Sequence, residues 1–297
     1  MRLYGNKLAS SNCATPAGPI VSLLLGAGMW GVVWYPMRLL ERGGLDGVWL
    51  SVVLYAAALL VSLPWAARGF LAFRTQPFAM VLLALSGGWT NIAFVLAILD
   101  GNVLRVMLLF YLSPIWAVAL GWLWLREGLS KVALVSLIVA MIGAAAMLWS
   151  PDVGFPWPQT RSDWLALSAG FAFALSNVTV RKMTGLSLAA KALSVWVGVV
   201  VIGLVLAGGF QLAWPQVAAP IWLGAFVLGI FGILAMTLLV QYGVTHMPVH
   251  RSAVIMLFEL VIGAISQQWL TDETLRLAEW LGGALIIASG YFSVRRG

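Results

Sequence analysis

Ten acidic residues occur among 297, and nine of them lie in loops or at the ends of apolar runs. The tenth, Glu259, falls near the middle of one, within LFELVIGAISQQ. A carboxylate in hydrocarbon costs several kcal/mol unless it meets water, a partner or a proton. Two uses follow. Glu259 lines a cavity, where it binds a cationic group or titrates as a proton site; or it is a neutral, hydrogen-bonded acid that fixes its helix against a neighbour. The residue alone leaves both open.

Other polar or kinked positions share this depth. Tyr111, Ser113 and Pro114 stand together in YLSPIW. Proline frees a carbonyl one turn earlier and permits a kink, and Ser113 could satisfy that carbonyl. In GGWTN, Trp89 and Asn91 follow Gly87 and Gly88, so an amide that wants a partner sits beside two residues suited to a hinge or to close helix packing. Trp30 and Trp34 are a helical turn apart, with Tyr35 beside them, and stacked indoles suit an aromatic or cationic ligand. Glu259, Trp30, Trp34, Trp89, Asn91, Tyr111 and Ser113 are therefore the candidate substrate contacts, with Pro114, Gly87 and Gly88 as candidate hinges. Arg38 and Arg105, near span ends, either attract a carboxylate or snorkel to headgroups, the second being the commoner role. His246 and His250 are four apart, but Pro248 between them argues against one helix presenting both to a metal. No metal or cofactor is expected.

The elements that must position these residues follow from composition. Hydrophobic residues make up 62% and charged residues 9%, against about 25% charged in soluble domains. Disorder, coiled coils and disulfide scaffolds are excluded, since the chain is rich in apolar residues and holds one cysteine, Cys13. Runs of about 20 apolar residues each suffice to cross a bilayer. Ten are present, at 19–39, 48–67, 77–99, 103–125, 131–149, 163–182, 188–208, 220–243, 251–270 and 277–294. The expected fold is an all-α integral membrane protein, its first span a retained signal-anchor.

Basic residues set the orientation. With both termini cytoplasmic, that side holds Arg2, Lys7, Arg68, Arg74, Arg126, Lys131, Arg181, Lys182, Lys191, Arg251, Arg295 and Arg296; the other side holds Arg38, Arg42, Arg105, Arg161 and Arg276. Asp46, Asp100, Asp152, Asp163, Asp272, Glu273 and Glu279 lie opposite the basic majority, while Glu127 accompanies it. The net charge of +7 thus reads as a topology signal facing the anionic inner leaflet, and no nucleic-acid partner is expected.

The stretch from Arg105, RVMLLFYLSPIWAVALGWLWLREGLS, aligns with that from Arg251, RSAVIMLFELVIGAISQQWLTDETLR. Each carries a Glu 22 residues after its Arg, Glu127 and Glu273, then a Gly/Ala-rich last span. A weaker echo pairs Gly28 with Gly170. The chain divides into two five-helix repeats, 1–150 and 151–297. Five is odd, so the second is inverted relative to the first, as in many secondary transporters with a midplane substrate site.

On these motifs the chain resembles the EamA repeat of the drug/metabolite transporter superfamily. Leu260 stands where the second repeat often has Pro, and Asp272 where Gly is usual. The resemblance implies a cavity lined by spans 1–4 and 6–9, with spans 5 and 10 peripheral, and a function close to bacterial exporters of metabolites and amino acids, aromatic ones included. Export of a small metabolite by alternating access is expected, with import or exchange of an amine or other small solute as the alternative and a channel or intramembrane enzyme less favoured. The chain has no G-x-x-x-x-G-K-[ST] run for ATP, so an ion gradient (protons as the coupling ion) or the substrate gradient must drive it. The expected setting is the bacterial inner membrane, as a monomer or weak homodimer.

Overall fold

The computed structural model describes residues 17–45, 47–150, 157–271 and 274–296. Arg2, Lys7, Cys13, Asp46, Asp152, Asp272 and Glu273 lie outside them. Among the described residues there are helices and no strands, and ten helical segments are long and apolar enough to span a membrane.

Span 1 is α1 (Ala17–Arg42) and span 2 is α2 (Gly47–Ala66), prolonged by a 3₁₀ stretch into α3 (Ala72–Thr75). Gly44 and Gly47, both at positive φ, make the tight turn between them. Span 3 is α4 (Pro77–Asp100). Span 4 is broken into α5 (Val103–Phe110) and α6 (Ser113–Leu120), and span 5 is α7 (Lys131–Leu148). Span 6 is α8 (Arg161–Lys182), span 7 is α9 (Leu188–Gly209), and span 8 is α10 (Ala219–Val227) joined through a π turn to α11 (Leu234–His246). Span 9 is broken like span 4, into α12 (Val249–Met256) and α13 (Phe258–Leu270); span 10 is α14 (Leu277–Arg296). Side-chain caps start four of these helices: Asn102, Ser130, Ser187 and, in a capping box with Asp163, Thr160.

Spans 4 and 9 break at the same place in the repeat. With Arg105 set against Arg251, Tyr111 in the first break falls on Leu257 in the second. Pro114 explains the first, because it has no N–H for the Phe110 carbonyl. The second has no proline; there the Leu260 N–H turns to the carbonyl of Leu257, 3.0 Å away, in place of an α-helical partner.

The two repeats interleave. Span 1 packs on spans 8 and 9 of the other repeat, and span 6 packs on spans 3 and 4. Spans 2 and 7 pack on each other, as do spans 5 and 10. This is the contact pattern of a two-fold axis exchanging the repeats. Glycines allow the closest approaches. A Cβ on Gly88 would stand 2.5 Å from the backbone of Gly198, and one on Gly170 2.5 Å from the Phe110 carbonyl oxygen.

Candidate functional site

Hydrogen bonds knit the helices into two groups. In the first, Ser22 Oγ donates to Leu239 O (2.8 Å), the Trp34 indole donates to Ser266 Oγ (2.9 Å), and Ser266 Oγ donates to Gly31 O (3.0 Å). These tie span 1 to spans 8 and 9. In the second, the Trp89 indole donates to Ser168 Oγ (3.1 Å) and Arg105 Nε donates to both Asp163 oxygens (2.9 and 3.0 Å), tying span 6 to spans 3 and 4.

Glu259 and Tyr111 bridge the groups. Glu259 is in the first turn of α13, where the carboxylate faces the positive end of a half-helix at mid-depth. The Tyr111 hydroxyl, at the break of span 4, lies beside it, close enough for the two groups to interact electrostatically. Tyr111 is buried and Glu259 half-buried. Phe110, next to Tyr111, is in ring contact with Tyr111 (5.3 Å between centroids), with Phe94 of span 3 (4.8 Å) and with Phe173 of span 6 (5.5 Å). One carboxyl beside several rings can accept from an ammonium group while apolar or aromatic surface packs alongside.

Of the other sequence candidates, Ser113 and Pro114 are buried in the first turn of α6, next to the pair. Trp30 and Trp34 lie on the inward side of α1, half-buried, opposite the exposed stripe of Val21, Leu25, Val32 and Leu39. Trp34 also carries the Arg38 guanidinium 5.1 Å from its ring. Asn91 has the partner its burial demands: it accepts from the Tyr55 hydroxyl (2.6 Å) and donates to Gly87 O (2.9 Å), locking span 3 to span 2. Trp89 points to span 6. Gly87 and Gly88 face span 7, where Val195 and Gly198 press against them. Arg105 is held in the Asp163 ion pair, 14% exposed, and so does not snorkel. Gly28, the repeat partner of Gly170, has nothing within 4 Å of a Cβ position.

Sequence reading missed Tyr55, Phe94, Phe110 and Phe173, since tyrosine and phenylalanine inside apolar runs carry no local signal. It also missed a polar cluster at the face where span 1 begins. There Glu127, after span 4, accepts from Arg181 Nε (3.1 Å) and from the Val249 N–H at the start of α12 (2.8 Å). Arg181 also donates to Thr245 O (2.7 Å). Lys191, fully buried, donates to Val180 O (2.9 Å) and Thr245 Oγ1 (3.0 Å). These bonds join the two helix groups at this face, and α6 packs on α12 there; α5 and α13, the halves at the opposite face, share no comparable packing.

Comparison with known proteins agrees with this architecture. A solved crystal structure superposes with a TM-score of 0.77 over 94% of this chain and 97% of its own, at 14% identity, which shows a shared fold. An uncharacterized transporter from Archaeoglobus fulgidus is 26% identical over 206 residues, 69% of this chain and 72% of its own length. Another from Pseudomonas aeruginosa is 32% identical over 155 residues, 48% of this chain and 49% of its own. The family model described as EamA-like transporter family matches twice, at residues 18–149 and 160–295. The chain is a multi-pass membrane transporter that belongs to the EamA-like transporter family.

Proposed function

We propose that the protein is a secondary active exporter of small metabolites, with amino acids or other amphipathic and aromatic compounds as substrates, working by alternating access. The observation that carries this reading is the Glu259 carboxyl beside the Tyr111 hydroxyl at the breaks of spans 4 and 9, with Phe110, next to Tyr111, in ring contact with Phe94 and Phe173. A substrate ammonium takes the carboxyl and its apolar part takes the rings. Broken helices at mid-depth are the usual frame of transporter sites. Trp30, Trp34, Trp89, Asn91 and Ser113 complete or support the site, and Pro114, Gly87 and Gly88 let spans 3 and 4 adjust.

The moving bodies in this reading are the interleaved groups, spans 1, 8 and 9 against spans 3, 4 and 6. The Glu127–Arg181–Thr245 cluster is then the gate at the N-terminal face, closed here. Both termini are cytoplasmic, the membrane is the bacterial inner membrane, each repeat supplies one five-helix unit (1–150 and 151–297), and the working unit is a monomer or weak homodimer. Protons titrating Glu259 drive export. The resemblance to metabolite exporters supports the direction.

The test is counterflow in proteoliposomes loaded with hits from a thermal-shift screen of metabolites. Internal substrate accelerates uptake of the labelled compound if the protein is a carrier. Uptake indifferent to internal substrate marks a channel and refutes the proposal.

A further inference from the structure

A cavity of about 260 Å³ lies at the N-terminal face between spans 2 and 7, and neither Glu259 nor Glu127, Arg181 or Thr245 of the gate lines it. Its apolar wall is formed by Trp65, Leu71 and Ala189, and its polar wall by Arg68, Thr75 and Ser187. Trp65, one of its lining residues, is 54% exposed and stands near the end of α2, at the level where tryptophans favour the membrane–water interface.

The two-fold relation shows that this space is not a packing necessity. Its counterpart at the opposite face lies where the loop after span 7 covers the start of span 2. There Trp214 meets Trp49 edge-on at 4.9 Å and stacks on Trp222 at 5.5 Å, and the space is filled. At the N-terminal face the helical extension of span 2 brings Arg68 instead and leaves the room vacant. Charge points the same way. Residues 47–99 and 164–258, which include every residue lining the cavity, contain no Asp or Glu, while Arg68 and Arg74 lie in that extension.

We infer that this cavity binds the phosphate of an anionic glycerophospholipid, with Arg68 pairing the phosphate, the Thr75 and Ser187 hydroxyls beside it, and an acyl chain along Trp65 and Leu71. Basic pockets between membrane helices are suited to such headgroups. The site is independent of the substrate reading.

The test is native mass spectrometry of the purified protein with phosphatidylglycerol, phosphatidylcholine or inorganic phosphate. The wild type retains one phosphatidylglycerol in preference to phosphatidylcholine. Arg68→Gln lowers that retention several-fold, and so does Ala189→Trp, which fills the cavity without removing charge. Arg74→Gln, outside the cavity, leaves it unchanged. Equal retention by Arg68→Gln and Arg74→Gln overturns the inference, as does displacement of the lipid by millimolar inorganic phosphate.

Discussion

Tyr111 and Glu259 come from opposite repeats, and each stands at the break of its own span; the Tyr111 hydroxyl meets the Glu259 carboxyl where the two helix groups join. A hydroxyl that closes on this carboxyl during transport contributes about 1.5–3 kcal/mol, the scale of a hydrogen bond to a charged group. Tyr111→Phe should therefore slow exchange roughly tenfold, since 1.4 kcal/mol is tenfold. The check is initial exchange rates at matched protein density. Unchanged rates would leave the Tyr111 hydroxyl with no part in exchange.

The polar cluster at the N-terminal face holds it closed through Glu127, which receives both Arg181 and the Val249 N–H. Glu127→Ala should free that face and raise access from it to mid-depth. Maleimide labelling of Ser113→Cys in a Cys13→Ser background is the measurement, with labelling from the N-terminal face expected to rise several-fold. Labelling that does not respond would mean that other contacts hold the face shut.

Close approach makes the glycines unequal. Gly170→Ala puts a methyl 2.5 Å from the Phe110 carbonyl oxygen, a backbone atom that cannot swing away. It should destabilise by about 1–3 kcal/mol, as overpacking does. Gly28→Ala meets open space and should be neutral or stabilising by about 0.5–1 kcal/mol through helix propensity. Melting midpoints in detergent compare the two, and equal midpoints would contradict the packing.

Arg105 and Asp163 form an ion pair with both carboxylate oxygens engaged, Asp163 being almost fully buried. Removing Arg105 leaves the buried Asp163 carboxylate with only the Gln159 and Thr160 backbone N–H groups and no countercharge, so Arg105→Ala should lower the melting midpoint markedly, and the Arg105→Ala/Asp163→Ala double variant should lower it by less than the sum of the singles. Additive losses would show that the pair is not coupled.

Much of this architecture is legible in sequence, and the exceptions have physical reasons. Ten spans follow from apolar length alone. The break in span 4 is visible at Pro114; the break in span 9 is not, because Leu260 has an N–H and only its turn toward Leu257 shows that the α-helical bond is lost. Glu259 stands out as a lone mid-span acid, but its partner Tyr111 comes from a helix 148 positions earlier and is fixed by tertiary packing. Lys191 and Arg181 count as topology markers in sequence, and only packing shows Lys191 buried against Thr245 and Arg181 paired with Glu127. Asn91 is recognisable as needing a partner, yet nothing local names Tyr55.

Glu259 as the substrate-contacting acid is tested most directly by Glu259→Gln, which keeps size and hydrogen bonding and removes the charge. Exchange of the best screened substrate should be measured in proteoliposomes, with the melting midpoint recorded beside it. The expected result is a loss of exchange of at least about tenfold, the scale of one charge-assisted hydrogen bond, with the midpoint held and the thermal shift by substrate abolished. Normal exchange and a normal substrate-induced shift in Glu259→Gln would contradict the assignment and leave Glu259 a structural acid at the start of α13.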